Sequence, residues 1–336
     1  MNQEQTTMHH AAVVTRRHAF KLGLAGALAV TALAAPRLRV VLAADSEVRI
    51  GFQKGSANLL VLKSKGLLDD VLGPLGATVT WTEFPAGPPM LEALNAGALD
   101  FGTTGAPPPI FAQAAGADLI YAAATTPSPL EEGILVPADS PIQTVADLAG
   151  KKVAVAKGSS ANAFLALALE KAGLQWRDVE ATYLLPADAK AAFDGGSVDA
   201  WAIWDPYAAV AEDTTSARSI ADGNSADHTN RSFYLAARPF ATDRADQLQA
   251  ILDTLITSDT WAAENPAEVA KLVAVETGID EATLLKVEQR SAYGIEPVTD
   301  EIVAEQQALA DMFLDLGLIP ERVDVASATL PSLVTL

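Results

Sequence analysis

The amino-acid sequence predicts an α/β fold in which helices cover the faces of a mostly parallel sheet, in two lobes. Short apolar, β-branched runs alternate with segments of helical periodicity, which is the pattern of such a sheet. One plan, a strand, a glycine- and hydroxyl-bearing turn and a helix, appears in two separate units. The 336-residue chain has no cysteine and is 50% hydrophobic, so it is held together by burial and is long enough to build more than one core.

The chain opens with Arg16, Arg17 and Lys21, followed by an uncharged run from Leu22 to Ala35. A basic segment before a short apolar one reads as a secretory signal. The run is shorter than the roughly 20 residues a membrane span needs, so cleavage is expected rather than anchoring. Arg16-Arg17 with Phe20 and Lys21 resembles the twin-arginine export signal, and an ordinary basic leader has the same features. Small residues allow cleavage after Val41-Leu42-Ala43 or Ala32-Leu33-Ala34; the first is preferred, making residues 1–43 the leader.

The leader carries five basic residues and one acid, so its removal deepens the net charge from −19 to −23. Such a surface repels nucleic acid and anionic lipid. His9, His10 and His18 leave with the leader, and His228 remains alone in a polar stretch. Thiol chemistry and Cys/His zinc sites are thereby excluded. No Gly-x-Ser-x-Gly, Walker or dinucleotide fingerprint is present, so neither a catalytic triad nor a nucleotide cofactor is expected. Asp69-Asp70, Glu131-Glu132 and Glu212-Asp213 are expected on solvated faces rather than at a metal.

Val48–Phe52 reads as a strand, Gln53–Ser56 as a turn, and Leu59, Leu60, Leu62 and Leu67 as one helix. Ala77–Thr82 is a second strand; Gly87-Pro88-Pro89 opens a helix that ends at Gly97; Asp100-Phe101-Gly102 is a third strand, entering a Thr103-Thr104-Gly105 turn. The second unit begins near Ile134 with a short helix over 145–149 and a strand at Val153–Val155. Its Lys157–Ser160 turn leads to a helix over 161–172, stopped by Gly173. Residues 187–193 form a further helix, and the buried strand Asp199–Trp204 emerges at Asp205-Pro206-Tyr207. From Ala241 onward an all-helical tail is expected, restarting at Asn265-Pro266.

An acidic chain holds an anion best at helix N-termini, where unpaired N–H groups and the helix dipole substitute for formal positive charge. The turns Lys54-Gly55-Ser56, Thr103-Thr104-Gly105 and Gly158-Ser159-Ser160 have the small and hydroxylated residues this requires, though such turns also cap helices without any ligand. Trp204 and Tyr207 read either as an apolar wall with polar tips or as core aromatics beside an Asp-Pro turn.

Longer phrases carry a resemblance: Arg49–Gly55, Glu83–Pro89, Asp100–Gly105, Lys157–Ser159, Pro186–Ala189 and Gly196–Tyr207. They resemble the aliphatic sulfonate-binding proteins of ABC importers, a branch of the family that also holds taurine- and nitrate-binding proteins. The resemblance implies the type II periplasmic-binding-protein fold, with a ligand clamped between two lobes joined by crossovers near Glu132-Gly133 and Arg231–Phe233. Residues 44–132 with 234–336, including the C-terminal helices, would form lobe 1, and 133–233 lobe 2. The ligand would be held by Gln53, Gly55, Ser56, Gly87, Pro88, Thr104, Gly105, Ser159, Ser160, Trp204 and Asp205, without metal or cofactor.

The same resemblance implies a monomeric periplasmic binder that delivers an alkanesulfonate to a membrane permease, and no catalysis. Binders of taurine, nitrate, an aromatic sulfonate or a sulfate ester share the fold. So do a desulfinase, which needs a cysteine this chain lacks, and a thiamin-pyrimidine synthase, which needs a histidine-rich site. Relatives often carry an aspartate where this chain has Ala106, which removes one candidate partner for a cationic ligand tail.

Overall fold

The computed structural model describes residues 46–330; the leader, its arginine pair and both cleavage sites lie outside them. The first unit runs β1 (Ser46–Phe52), α1 (Ala57–Lys65), α2 (Leu67–Leu72), β2 (Ala77–Glu83), α3 (Gly87–Asn95), β3 (Phe101–Gly105), α4 (Pro107–Ala114) and β4 (Leu119–Thr125). The second runs β5 (Glu132–Val136), β6 (Lys152–Val155), α5 (Ser160–Lys171), β7 (Glu180–Tyr183), α6 (Pro186–Asp194), β8 (Ala200–Trp204), α7 (Tyr207–Thr215) and β9 (Arg218–Asp222). The chain then returns through β10 (Ser232–Ala237), α8 (Arg238–Asp243), α9 (Ala245–Glu264), α10 (Pro266–Thr277), α11 (Glu281–Glu288), β11 (Ile295–Glu296) and α12 (Asp300–Asp315).

Two sheets result, a six-stranded one in the order β11-β4-β10-β3-β1-β2 and a five-stranded one in the order β7-β6-β8-β5-β9. β1 pairs in parallel with β2 and β3, and β6 in parallel with β7 and β8, as strand-helix-strand units require. β5 and β10, the first strand after each passage between the sheets, run antiparallel to their neighbours. Every residue of β5 is buried because helices cover both faces of its sheet.

Each sheet therefore has an apolar cluster on each face. In the first sheet Ile50, Leu60 and Leu252 pack on one side and Met90, Ile110 and Phe313 on the other. In the second, Val153, Phe164 and Leu165 oppose Trp201, Phe193 and Ile203. Burying one such side chain contributes about 1.5–3 kcal/mol. A bidentate pair adds direction: Arg49 Nε and Nη2 stand 2.9 and 2.7 Å from the two carboxylate oxygens of Asp100, fixing β1 beside the entry to β3.

Three expectations need correction. The predicted first helix is two, because Gly66 adopts a left-handed conformation (φ 65°) between α1 and α2. Thr103–Gly105 is not a turn but the end of β3, paired with β10. The tail is not all helical: Ile295-Glu296 adds an edge strand antiparallel to β4, too short for sequence periodicity to register.

One carboxylate pair, and Glu212 of another, are also not on solvated faces, while Asp213 is exposed as expected. Glu132 is 2% exposed, with its Oε2 3.1 Å from Nε2 of His228, itself buried and stacked on Phe164. Glu212 and Asp213 pair with Lys286, and Glu212 also with Arg290. Asp69 and Asp70 are exposed, as expected.

Candidate binding cleft

A cleft of about 110 Å³ opens where the carboxyl ends of strands from both sheets face one another. Gln53, Gly55, Ser56, Gly87, Thr104, Gly105, Ser159, Ser160, Trp204 and Asp205 all line it. Pro88 does not; Pro108 of α4 stands beside Gly87 instead, its Cγ 2.6 Å from where a Cβ on Gly87 would lie.

The two lobes touch through glycines. A Cβ on Gly55 would fall 2.7 Å from the carbonyl oxygen of Asp205, and one on Gly105 would fall 2.8 Å from Cβ of Ser160. Each glycine follows or ends a strand of the first sheet and meets the second lobe at a distance no side chain permits. The lobes are thus closed on the cleft.

The donors are distributed unevenly. α1 and α5 both begin at the cleft, where helix geometry leaves first-turn N–H groups without intrahelical acceptors. At α1 the Ser56 hydroxyl oxygen accepts from the Gln53 N–H (3.0 Å), which leaves its proton for the cleft. Gln53 Nε2 donates to the Thr103 carbonyl at 3.2 Å, steadying this turn against β3. At α5 the Ser159 hydroxyl is consumed: it donates to the Ala156 carbonyl (2.6 Å) and accepts from the Asn162 N–H (3.3 Å). Ser159 is a helix cap, and Ser160 is the hydroxyl that α5 turns to the cleft.

α3 and α4 contribute less, because Pro88, Pro89 and Pro107–Pro109 occupy their first turns and proline has no N–H. The threonine hydroxyls of β3 are also committed, Thr103 to the Phe233 carbonyl (3.1 Å) and Thr104 to the Gly105 carbonyl (2.9 Å).

Asp205 is 4% exposed. It accepts from the Ala209 N–H at 2.9 Å, which ties it to α7, and Arg290 Nη1 stands 3.2 Å from its Oδ2. Burial pushes its carboxyl up to about 6 against the pull of Arg290. Asp205 is thus a brace. Trp204 lines the cleft, and Tyr207 packs edge-on behind it, centroids 6.1 Å apart, rather than facing the cleft.

Sequence reasoning missed one wall. Ser128 and Glu131 precede β5, Asn230 and Tyr234 flank the start of β10, and Ser291, Ala292 and Tyr293 follow α11. The last three lay in the stretch read as helical tail; the polar and aromatic break Ser291-Ala292-Tyr293-Gly294 was the available signal. Burial pushes Glu131 up to about 8, opposed by a hydrogen bond with Ser291 and reinforced by Asp205, Glu288 and Glu132. Burial also lifts Glu288, whose Oε2 accepts from the Tyr293 hydroxyl at 2.6 Å, to about 7.

Ala106 faces elsewhere. It packs in the cluster of Ile302 and Phe233, lines a separate cavity, and its carbonyl accepts from Gln306 Nε2 at 2.6 Å. The alanine therefore removes nothing from the cleft wall. Among the described residues no group of histidines or carboxylates is arranged to hold a metal ion, and no helix is long and apolar enough to cross a membrane.

Comparison with known proteins places this architecture. The family described as NMT1/THI5 like matches residues 82–283. The alkanesulfonate-binding protein SsuA from Xanthomonas axonopodis pv. citri, solved bound to MOPS, is 41% identical and superposes with a TM-score of 0.82, covering 86% of this chain and 99% of its own. The periplasmic aliphatic sulphonate binding protein SsuA from Escherichia coli is 45% identical with a TM-score of 0.76, over 84% of this chain and 91% of its own. With sequence and fold in agreement, the chain belongs to the NMT1/THI5-like family and to the branch of its aliphatic sulfonate-binding relatives.

Proposed function

We propose that this protein is the exported solute-binding component of an ABC importer, clamping an aliphatic sulfonate between its lobes and presenting it to a membrane permease. The observation that carries the reading is the pair of helix N-termini, α1 with Ser56 and α5 with Ser160, facing one small cleft that, among the described residues, no lysine, arginine or histidine lines. Neutral amide and hydroxyl donors suit a strong-acid anion, which stays ionised at any physiological pH and needs acceptance of hydrogen bonds only. Sulfonate oxygens would take the Ser56 and Ser160 hydroxyls and the first-turn N–H groups, and Trp204 would face the organic tail. Gln53, Gly55, Gly87, Thr104 and Gly105 would shape the headgroup pocket.

In this reading the chain is a binder and not an enzyme. Among the described residues no histidine lines the cleft, the chain has no cysteine, and the buried Asp205 is engaged by Arg290. Residues 44–132 with 234–336 would move as one lobe and 133–233 as the other, the chain would act as a monomer, and residues 1–43 would direct it to the periplasm. Lobe closure would give the permease a shape to recognise.

Calorimetric titration of refolded, ligand-free protein tests the function. A panel of alkanesulfonates should bind with dissociation constants of about 1 μM or tighter, near −8 kcal/mol, with nitrate and sulfate much weaker. Heat from nitrate or sulfate alone, with none from the sulfonates, would overturn the assignment.

A further inference from the structure

The cleft has a charge imbalance. Its acidic lining is unevenly balanced: Asp205 is matched by Arg290, but among the described residues Glu131 has no cation beside it. The charges acting on Glu131 are those of Asp205, Glu288 and Glu132, all negative. The nearby bases are already engaged, Arg290 with Asp205 and Glu212, and His228 with Glu132. Around Glu131 the wall consists of the Ser128 and Ser291 hydroxyls and the Tyr293 ring, whose own hydroxyl donates to Glu288. A plain alkanesulfonate would leave this carboxyl protonated, since burial beside other acids disfavours its charge and the ligand brings no cation, whereas a ligand with its own positive charge could pair with the ionised form.

Resting on the sulfonate reading above, we propose that the cleft is built for zwitterionic aminoalkanesulfonates, with Glu131 receiving the ammonium group while α1 and α5 hold the sulfonate. Glu131 is the specificity-determining residue of this arrangement. In the ligand-free cleft its carboxyl, pushed up to about 8, is mostly protonated at neutral pH. A bound ammonium favours the carboxylate, so the carboxyl proton leaves to solvent as the ion pair forms. The relative from Xanthomonas axonopodis pv. citri was solved with MOPS, a sulfonate that also carries a basic nitrogen.

The test compares two ligands of matched length, homotaurine with a terminal ammonium and butanesulfonate with a methyl in its place, by calorimetry at pH 7 in phosphate and in imidazole buffer. Wild type should bind homotaurine at least about tenfold more tightly, the size of one charged hydrogen bond. It should release close to one proton per homotaurine, read from the dependence of heat on buffer ionisation enthalpy, and none with butanesulfonate. Glu131→Gln should abolish both the preference and the proton release. Equal or tighter butanesulfonate binding by wild type, or proton uptake on binding, overturns the inference and leaves the sulfonate function standing. Failure of both ligands to bind wild type overturns both. The wild-type measurements decide the matter even if the variant does not fold.

Discussion

Arg290, in the segment after α11, reaches Asp205 at the end of β8, with Nη1 3.2 Å from Oδ2, while its Nη2 stands 2.6 Å from Oε2 of Glu212 on α7. Soon after Arg290 the chain enters the six-stranded sheet at β11, whereas both acids belong to the five-stranded lobe. The guanidinium therefore ties the two lobes together beside the cleft.

Arg290→Met leaves Asp205 buried without its cation. Breaking a buried pair costs about 3–5 kcal/mol, and the lower end applies because Asp205 can take up a proton. The unfolding temperature should fall by several degrees and sulfonate affinity with it. The double variant Arg290→Met with Asp205→Asn should regain part of the stability but not the affinity, since the tie between lobes stays broken. Calorimetric scans and titrations on the same samples check both.

Gly55→Ala places a methyl 2.7 Å from the Asp205 carbonyl. The clash exists only when the lobes are closed, so the ligand-free unfolding temperature should barely change. Affinity should drop by about tenfold or more. Small-angle scattering with saturating ligand should report a variant more open than wild type; equal compaction would contradict the contact.

Neighbouring serines should behave oppositely. Ser159→Ala removes a helix cap and should cost about 0.5–2 kcal/mol of stability with little change in affinity. Ser160→Ala should leave stability nearly intact and weaken sulfonate binding by about tenfold. Denaturant titration and calorimetry separate the two.

The buried carboxyls set a pH dependence. Unfolded carboxyls titrate near pH 4, whereas burial lifts Asp205 and Asp259 to about 6, Glu288 to about 7 and Glu131 to about 8. Between those limits the folded chain binds more protons than the unfolded one, so stability falls as pH rises. The unfolding temperature of ligand-free protein should decline from about pH 5 to about pH 8, and Glu131→Gln should flatten the upper end. A curve rising through neutrality would refute this.

The strand-helix alternation was legible because each buried strand is a compact apolar run bounded by glycine, as at Val153–Val155 before Gly158. Part of the cleft lining was legible for the same reason, at the Gly55-Ser56, Thr104-Gly105 and Ser159-Ser160 turns, since strand ends in such sheets face the cleft; Gln53 and Gly87 followed only from the family resemblance. What sequence could not supply was the direction of side chains. Ser159 and Ser160 are chemically identical, and only the backbone at the start of α5 decides which caps and which faces the cleft. Glu131, Tyr293 and Arg290 come together from segments far apart in sequence, and no local pattern marks such a meeting. Ile295-Glu296 is strand only because β4 offers an edge.

The proline runs at Pro88-Pro89 and Pro107–Pro109 give the cleft a polarity. By silencing two of the helix starts near it, they leave the starts of α1 and α5 to solvate an anion. A two-ended molecule then has one way in and one way to lie, so chemically similar ends are sorted by which helices lack amide protons. Restoring an N–H there, for instance by Pro108→Ala, would offer the anion a second seat and blur that orientation without touching a residue that binds it.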